Sequence, residues 1–61
     1  MKVGESVKLQ AYGGHLLTRR VIDVKDNQVI VTTEEEFHEA LRENRKPVSV
    51  GFNVKYVVKD N

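Results

Sequence analysis

The sequence predicts a mainly β domain, a small five-stranded barrel with one α-helix inserted between the third and fourth strands. Most of the chain alternates apolar and polar residues with the period of a half-buried strand. One segment instead repeats its apolar residues with the period of a helix, and glycines or short polar residues separate the segments. No linker or low-complexity stretch interrupts the 61 residues, so we expect a single domain over residues 1–61.

The first predicted strand covers residues 6–11, where Val7 and Leu9 alternate with polar neighbours. Gly13 and Gly14 follow it. Because glycine adopts positive φ at little cost, the pair predicts a loop between the first two strands. A phosphate-binding loop is not indicated, since no Lys-Ser/Thr pair and no helix start follow the glycines.

The second and third strands are predicted at residues 16–25 and 28–33. The dipeptide between them, Asp26-Asn27, tolerates left-handed backbone and predicts a two-residue hairpin. In a regular register this hairpin carries an apolar quartet on its core side, with Val24 opposite Val29 and Ile22 opposite Val31.

The other face of the same hairpin is predicted to carry Val21 and Ile30, together with Leu17. The inserted helix is expected to cover them. If the helix packs elsewhere, they form an exposed apolar spot of the kind used for contact with a partner.

A helix is predicted over about residues 34–44. Thr33 with Glu36 three residues later is typical of a capping box, and Thr32 with Glu35 is an equally spaced alternative. Asn44 is predicted to end the helix in a left-handed conformation, and Pro47 prevents its continuation. One apolar stripe follows the helical period: Phe37, Ala40 and Leu41.

The last two strands are predicted at residues 48–50 and 56–58. In the first of them Val48 and Val50 are expected to point inward, and Gly51 permits a sharp bend after it. Rolling strands this short into a barrel would hide their edges.

The C-terminal segment Phe52-Asn53-Val54-Lys55-Tyr56-Val57 resembles the end of Src-homology-3 domains, where a short 3-10 turn, typically F-P-x-N-Y-V, leads into the final strand. The opening Gly4-Glu5-Ser6-Val7 is similar to that of SH3-like barrels of the KOW and translation-protein kind. The resemblance implies an SH3-like barrel. It does not imply recognition of proline-rich peptides, because Asn53 replaces the proline, and tryptophan and an acidic, aromatic first loop are absent.

Composition excludes several classes of function. Cysteine is absent, which rules out disulfides, thiolate zinc sites, iron–sulfur clusters and a cysteine nucleophile, and favours a reducing cytoplasm. No apolar run is long enough for a membrane span, so no membrane partner is expected. The net charge of +1 is far below that of an obligate nucleic-acid binder.

A basic patch is nevertheless a candidate binding site. Barrel closure could bring together the second strand, the helix end and the C-terminal turn, and an aromatic ring beside the cations would suit single-stranded nucleic acid. Arg19 shares its predicted face with Asp23, which dilutes the field, and Arg20 falls on the core side with its charge at the barrel rim. The candidate binding residues are Arg19, Arg45, Lys46, Lys55 and Tyr12.

Catalytic and metal sites are not predicted. His38 follows Glu34 by four residues, the spacing of an ordinary helix pair, and His15 is the only other imidazole, too few for a metal site. The glutamates project from an exposed helix, and no serine or threonine has a visible His–Asp partner. We therefore expect no cofactor and no enzymatic activity.

The function predicted from the sequence is that of a non-enzymatic binding or accessory module. Another protein, or a second copy of the same chain, is the expected partner. Single-stranded nucleic acid, bound through the basic patch, is the alternative.

Overall fold

A computed structural model describes residues 2–58 and has the predicted mainly β architecture, with five antiparallel strands in a curled half-barrel and one helix. A first 3-10 turn covers Tyr12–Gly14 and a second covers Val54–Tyr56. The remaining elements are β1 (Ser6–Gln10), β2 (Leu16–Lys25), β3 (Gln28–Thr32), α1 (Glu34–Glu43), β4 (Val50–Asn53) and β5 (Val57–Val58).

The long strand β2 lies at the centre of the sheet, whose order is β4-β3-β2-β1-β5. Its first half pairs with β1, from Gln10 opposite Leu16 to Ser6 opposite Arg20. Its second half pairs with β3. The outer strands β4 and β5 pair only with β3 and β1, so the described sheet is curled but keeps two edges.

A β-bulge at Ile22 corrects the predicted register of the hairpin. Next to the turn the pairing is as predicted, with Val24 opposite Val29 and Asp23 opposite Ile30. Beyond Ile22, which has no partner, Val21 lies opposite Val31. A bulge places two residues of one strand against one of the other, so every side chain before it changes face relative to a regular ladder.

The core therefore differs from the predicted quartet. Val29 and Val31 are buried, but Val24 is 38% exposed and Ile22 is only half-buried. Val21, predicted on the opposite face, is fully buried instead. The buried cluster consists of Val7, Leu9, Val21, Val29 and Val31, with Phe52, Val54 and Val57 packed against it.

Helix α1 begins and ends as predicted. The hydroxyl of Thr33 accepts a hydrogen bond from the Glu36 amide at 3.1 Å, which makes Thr33 the N-cap rather than Thr32. Asn44 adopts a left-handed conformation with φ 53°, and the Arg45 amide donates to the Ala40 carbonyl, as in a Schellman ending.

The helix packs on β2 beside the bulge. Its stripe residues Phe37, Ala40 and Leu41 border a small hollow of about 200 Å³ together with Ile22. Ile30, which was expected under the helix, is half-buried and instead lies over Gly51, where a Cβ would meet its Cδ1 at 3.2 Å. The prediction that the helix covers both Val21 and Ile30 is therefore wrong for Ile30.

The fourth strand lies later in the chain than predicted. It runs from Val50 to Asn53 through Gly51, and Val48 precedes it. Val48 and Val50, expected to be buried, are 76% and 57% exposed because β4 is an edge strand that no other described element covers. The 3-10 turn before the last strand, implied by the resemblance, is present at Val54–Tyr56.

Candidate functional site: an apolar groove on the open side of the sheet

Arg45, a predicted nucleic-acid contact, forms ion pairs with carboxylates of its own chain. Its guanidinium donates to Glu36 and to Glu43, each at 2.6 Å. These hydrogen bonds raise the pKa of Arg45 and lower the pKa of Glu36, whose carboxylate also accepts the Val48 amide at 2.8 Å. A cation held in this way has little capacity left for a phosphate.

Arg20 also forms an ion pair within the chain, and it lies on the face of the sheet opposite to the predicted one. It donates through two nitrogens to Glu34, contacts the ring of Phe37 with 4.5 Å between Cζ and the ring centroid, and donates to the Gly4 carbonyl at 2.8 Å. The bond to Arg20 lowers the pKa of Glu34, and His38 contacts the same carboxylate at 3.0 Å. This group fastens the start of α1 to the sheet.

Arg19 has a different environment. It lies opposite Val7 on the inner, concave face of the sheet, because the bulge reverses the face predicted for it. Its Nη1 donates to the Thr18 carbonyl at 2.9 Å, and no carboxylate of residues 2–58 lies within ion-pairing distance. Arg19 is half-buried as a residue, and within the described chain its guanidinium keeps most of its donors available.

The remaining candidates fall at two places. Lys55 lies over the ring of Tyr56, with 5.3 Å from Nζ to the centroid, and Tyr12 borders the same hollow as Tyr56. Lys46 is exposed in the segment after α1, without an ion pair among the described residues. Tyr12 and Lys55 therefore both lie near Tyr56, whereas Arg45 is bound to Glu36 and Glu43.

Two adjoining hollows form an apolar groove, and Leu17 and Phe52 line both of them. The first, the Arg19 hollow, has a volume of about 430 Å³; its other lining residues are Arg19, Val31, Thr32, Thr33, Glu36, Val48, Ser49 and Val50. The second, the tyrosine hollow, has a volume of about 420 Å³; its other lining residues are Gln10, Ala11, Tyr12 and Tyr56.

The groove exists because the barrel is incomplete. Leu17 lies opposite Leu9, and Phe52 lies opposite Val29, so both belong to the face that carries the core. Past the edge strand β4 no described strand continues the sheet, and that face opens to solvent. The exposed apolar side chains along the groove, with Tyr12 at 99%, form a continuous patch of the kind associated with interfaces.

Val50 was expected to point inward, and Leu17 was expected on the face opposite the core with Val21 and Ile30. In the structure Leu17 lies on the core face instead, and it lines the groove together with Val50 and Phe52. Sequence reasoning did not bring these three residues together as one site. The alternation Leu17, Arg19, Val21 in the first half of β2 was an available signal, since it places Arg19 among apolar side chains. Only the bulge shows that this face is the concave one.

Residues 2–58 contain no group of three or more His, Cys, Asp or Glu side chains arranged to hold a metal ion. Over the same residues, no helix has the length and apolarity that crossing a membrane requires.

Comparisons with known proteins do not assign a family. Family models, curated sequences and solved structures contain no match to this chain. The geometry of the groove therefore carries the functional argument.

Proposed function

We propose that this chain is an SH3-like barrel that acts as a non-enzymatic module and binds another protein through the groove. The SH3-like assignment is supported by a five-stranded antiparallel sheet with a central bent strand and by the 3-10 turn that leads into β5. The lack of cysteine is consistent with the cytoplasm as its compartment.

The single observation that carries the proposal is the exposure of core-face side chains along one groove. Val50 is mostly exposed, Tyr12 almost completely, and Leu17 and Phe52 join the two hollows that they border. Covering apolar area of this kind is the main favourable contribution to most protein–protein association.

A catalytic role is disfavoured by the groove's polar groups. Among residues 2–58 the only carboxylate that lines it is Glu36, which is already bound by Arg45 and by the Val48 amide. No histidine of the described residues lines either hollow, so within this part of the chain the hydroxyls of Thr32, Thr33 and Ser49 have no general base beside them.

Site-specific photo-crosslinking tests the proposal. A benzoyl-phenylalanine at Tyr12 should crosslink to a protein in the cells of origin, whereas the same probe at Lys25, at the far end of the hairpin, should not. The captured protein is then purified, and its affinity is measured with Val50→Thr, which keeps the shape of the side chain and its strand preference. Val24→Thr, outside the groove, is the matched control.

The expected result is weaker binding of the captured protein by Val50→Thr and unchanged binding by Val24→Thr. Equal affinity for the two variants would contradict a groove interface.

Single-stranded nucleic acid is the second candidate, because Lys55 and Tyr56 pair a cation with a ring beside the exposed Tyr12. It is less favoured since Arg20 and Arg45 are bound to glutamates of the same chain. An oligonucleotide titration separates the two candidates.

A further inference from the structure

We propose that the groove binds an extended segment of a partner protein that carries apolar residues and an acidic residue on the same face, and that Arg19 pairs with the carboxylate of that acidic residue. This inference rests on the proposed function and specifies the chemistry of the partner.

The groove offers charge complementarity in an apolar site. Arg19 lines the Arg19 hollow with Leu17, Val31 and Phe52, yet the one hydrogen bond of its side chain within residues 2–58 is to the Thr18 carbonyl. A guanidinium beside apolar side chains can contact a carboxylate through two parallel N–H donors.

The negative charge of the carboxylate that lines the groove is already compensated. Glu36 is ion-paired with Arg45 and also accepts the Val48 amide. Lys55 adds a further positive charge beside the tyrosine hollow. The field along the groove therefore favours a negatively charged partner and disfavours a basic one.

The groove is open along the edge strand β4. The open edge strand β4 contributes Val50 and Phe52 to the groove and keeps its outer backbone groups unpaired within the described sheet. An extended segment placed along such an edge presents alternate side chains to one face. Apolar residues at those positions would cover Leu17 and Phe52, and an acidic residue among them would meet Arg19.

The test uses blocked synthetic peptides of about seven residues, about 24 Å when extended, close to the 21 and 23 Å shorter dimensions of the molecule. One peptide has valine, leucine and a single aspartate at its alternate positions and serine at the positions between, so that the aspartate lies on the same face as the apolar side chains. Its counterpart has asparagine in place of the aspartate and differs only in charge. Binding is followed by amide chemical shifts and isothermal titration at low salt.

The full-length chain should bind the aspartate peptide saturably, with shifts at β4 and at Leu17. Arg19→Gln should weaken this binding by about tenfold or more, because a charge-assisted, bidentate contact is lost. Arg19→Lys should restore part of it. Arg42→Gln is the matched control, since it removes the same charge from an exposed helix position outside the groove.

Three results would overturn the inference: no binding of the aspartate peptide, equal binding of the asparagine peptide, or equal effects of Arg19→Gln and Arg42→Gln. Equally tight binding of the two peptides in the groove would leave the proposed function intact while rejecting the role of Arg19. A concentration-dependent dimer in light scattering, with shifts at the same residues and no peptide binding, would assign the groove to a second copy of the chain.

Discussion

Arg45 holds the carboxylate of Glu36 at 2.6 Å and so connects the residue after helix α1 to the first turn of the same helix, nine positions earlier. The same carboxylate accepts the amide of Val48, which stands before β4. One glutamate thus fixes both ends of the segment that leads from the helix to the edge strand at the groove.

We expect Glu36→Gln to loosen this segment, because the neutral side chain loses its ion pair with Arg45. Hydrogen exchange at the Val48 amide should become faster and the melting temperature should fall. Glu35→Gln, on the exposed side of the same turn and without an ion pair among the described residues, is the control. Equal exchange at Val48 in both variants would show that Glu36 does not hold the segment.

Acid should destabilise the fold through Glu34 and Glu36. Their bonds to Arg20 and Arg45 lower the pKa of each carboxyl in the folded state, so the unfolded chain takes up protons first as the pH falls. The stabilisation is complete above the unfolded value of about 4.3 and is lost as the pH falls toward the folded values.

This pH dependence can be measured as the midpoint of urea unfolding between neutral pH and about pH 3. The double variant Glu34→Gln/Glu36→Gln should start from a lower midpoint at neutral pH and change less with acid. Glu35→Gln/Glu39→Gln removes the same charge and should retain the parent's slope. If the two double variants behave alike, these ion pairs do not cause the acid sensitivity.

Loss of the helix cap should have a small but measurable effect. Thr33→Ala removes the oxygen that accepts the Glu36 amide and should lower the free energy of unfolding by about 1 kcal/mol. Thr33→Ser keeps the acceptor and should lie close to the parent. A silent Thr33→Ala in urea unfolding would contradict the cap.

The buried side chain of Leu9 should be far more sensitive than the half-buried Ile22. Leu9 has no exposed surface, so Leu9→Ala should cost about 2–5 kcal/mol, enough to unfold much of a domain this small. Ile22→Ala should cost less because solvent already reaches the side chain beside the helix. Circular dichroism melts of the two variants measure the order, and the reverse order would restore the regular hairpin register.

Titration with single-stranded RNA at about 100 mM salt, where the Debye length is about 10 Å, should give no saturable shifts. If the parent does bind at micromolar concentration, Arg45→Gln/Lys46→Gln distinguishes the causes. Loss of binding in that variant, with a salt slope lower by about one to two, would favour the basic patch over the protein partner.

The order of elements followed from the sequence, but the composition of the core and the groove did not. The turn at Asp26-Asn27 fixed the two pairs beside it correctly, since a short turn leaves little freedom there. The bulge four residues before the turn carries no distinctive residue type, and one unpaired residue exchanges the faces of everything before it.

The candidate site was predictable in its residue types but not in its assembly. Arg45 was correctly placed after the helix, yet its bonds to Glu36 depend on the left-handed turn at Asn44, which folds the chain back by an amount that spacing alone does not give. Arg19 and Arg20 were exchanged by the same bulge. The open edges of the sheet were not predictable either, because the residue pattern of a strand does not show how many other strands pair with it.

The unpaired Ile22 distinguishes two roles of strand β2, which pairs with β3 and packs against α1. Val21 pairs with Val31 on one side of Ile22, and Asp23 pairs with Ile30 on the other. If Ile22 were removed, these two pairs would become neighbours in one regular ladder. The sheet therefore does not require this residue, whereas the hollow under Phe37 and Leu41 does. Ile22 is thus an addition to a hairpin that is complete without it. A β2 shortened by this residue would retain its ladder and lose one wall of the hollow under α1, while Arg20 would still hold the first turn of the helix.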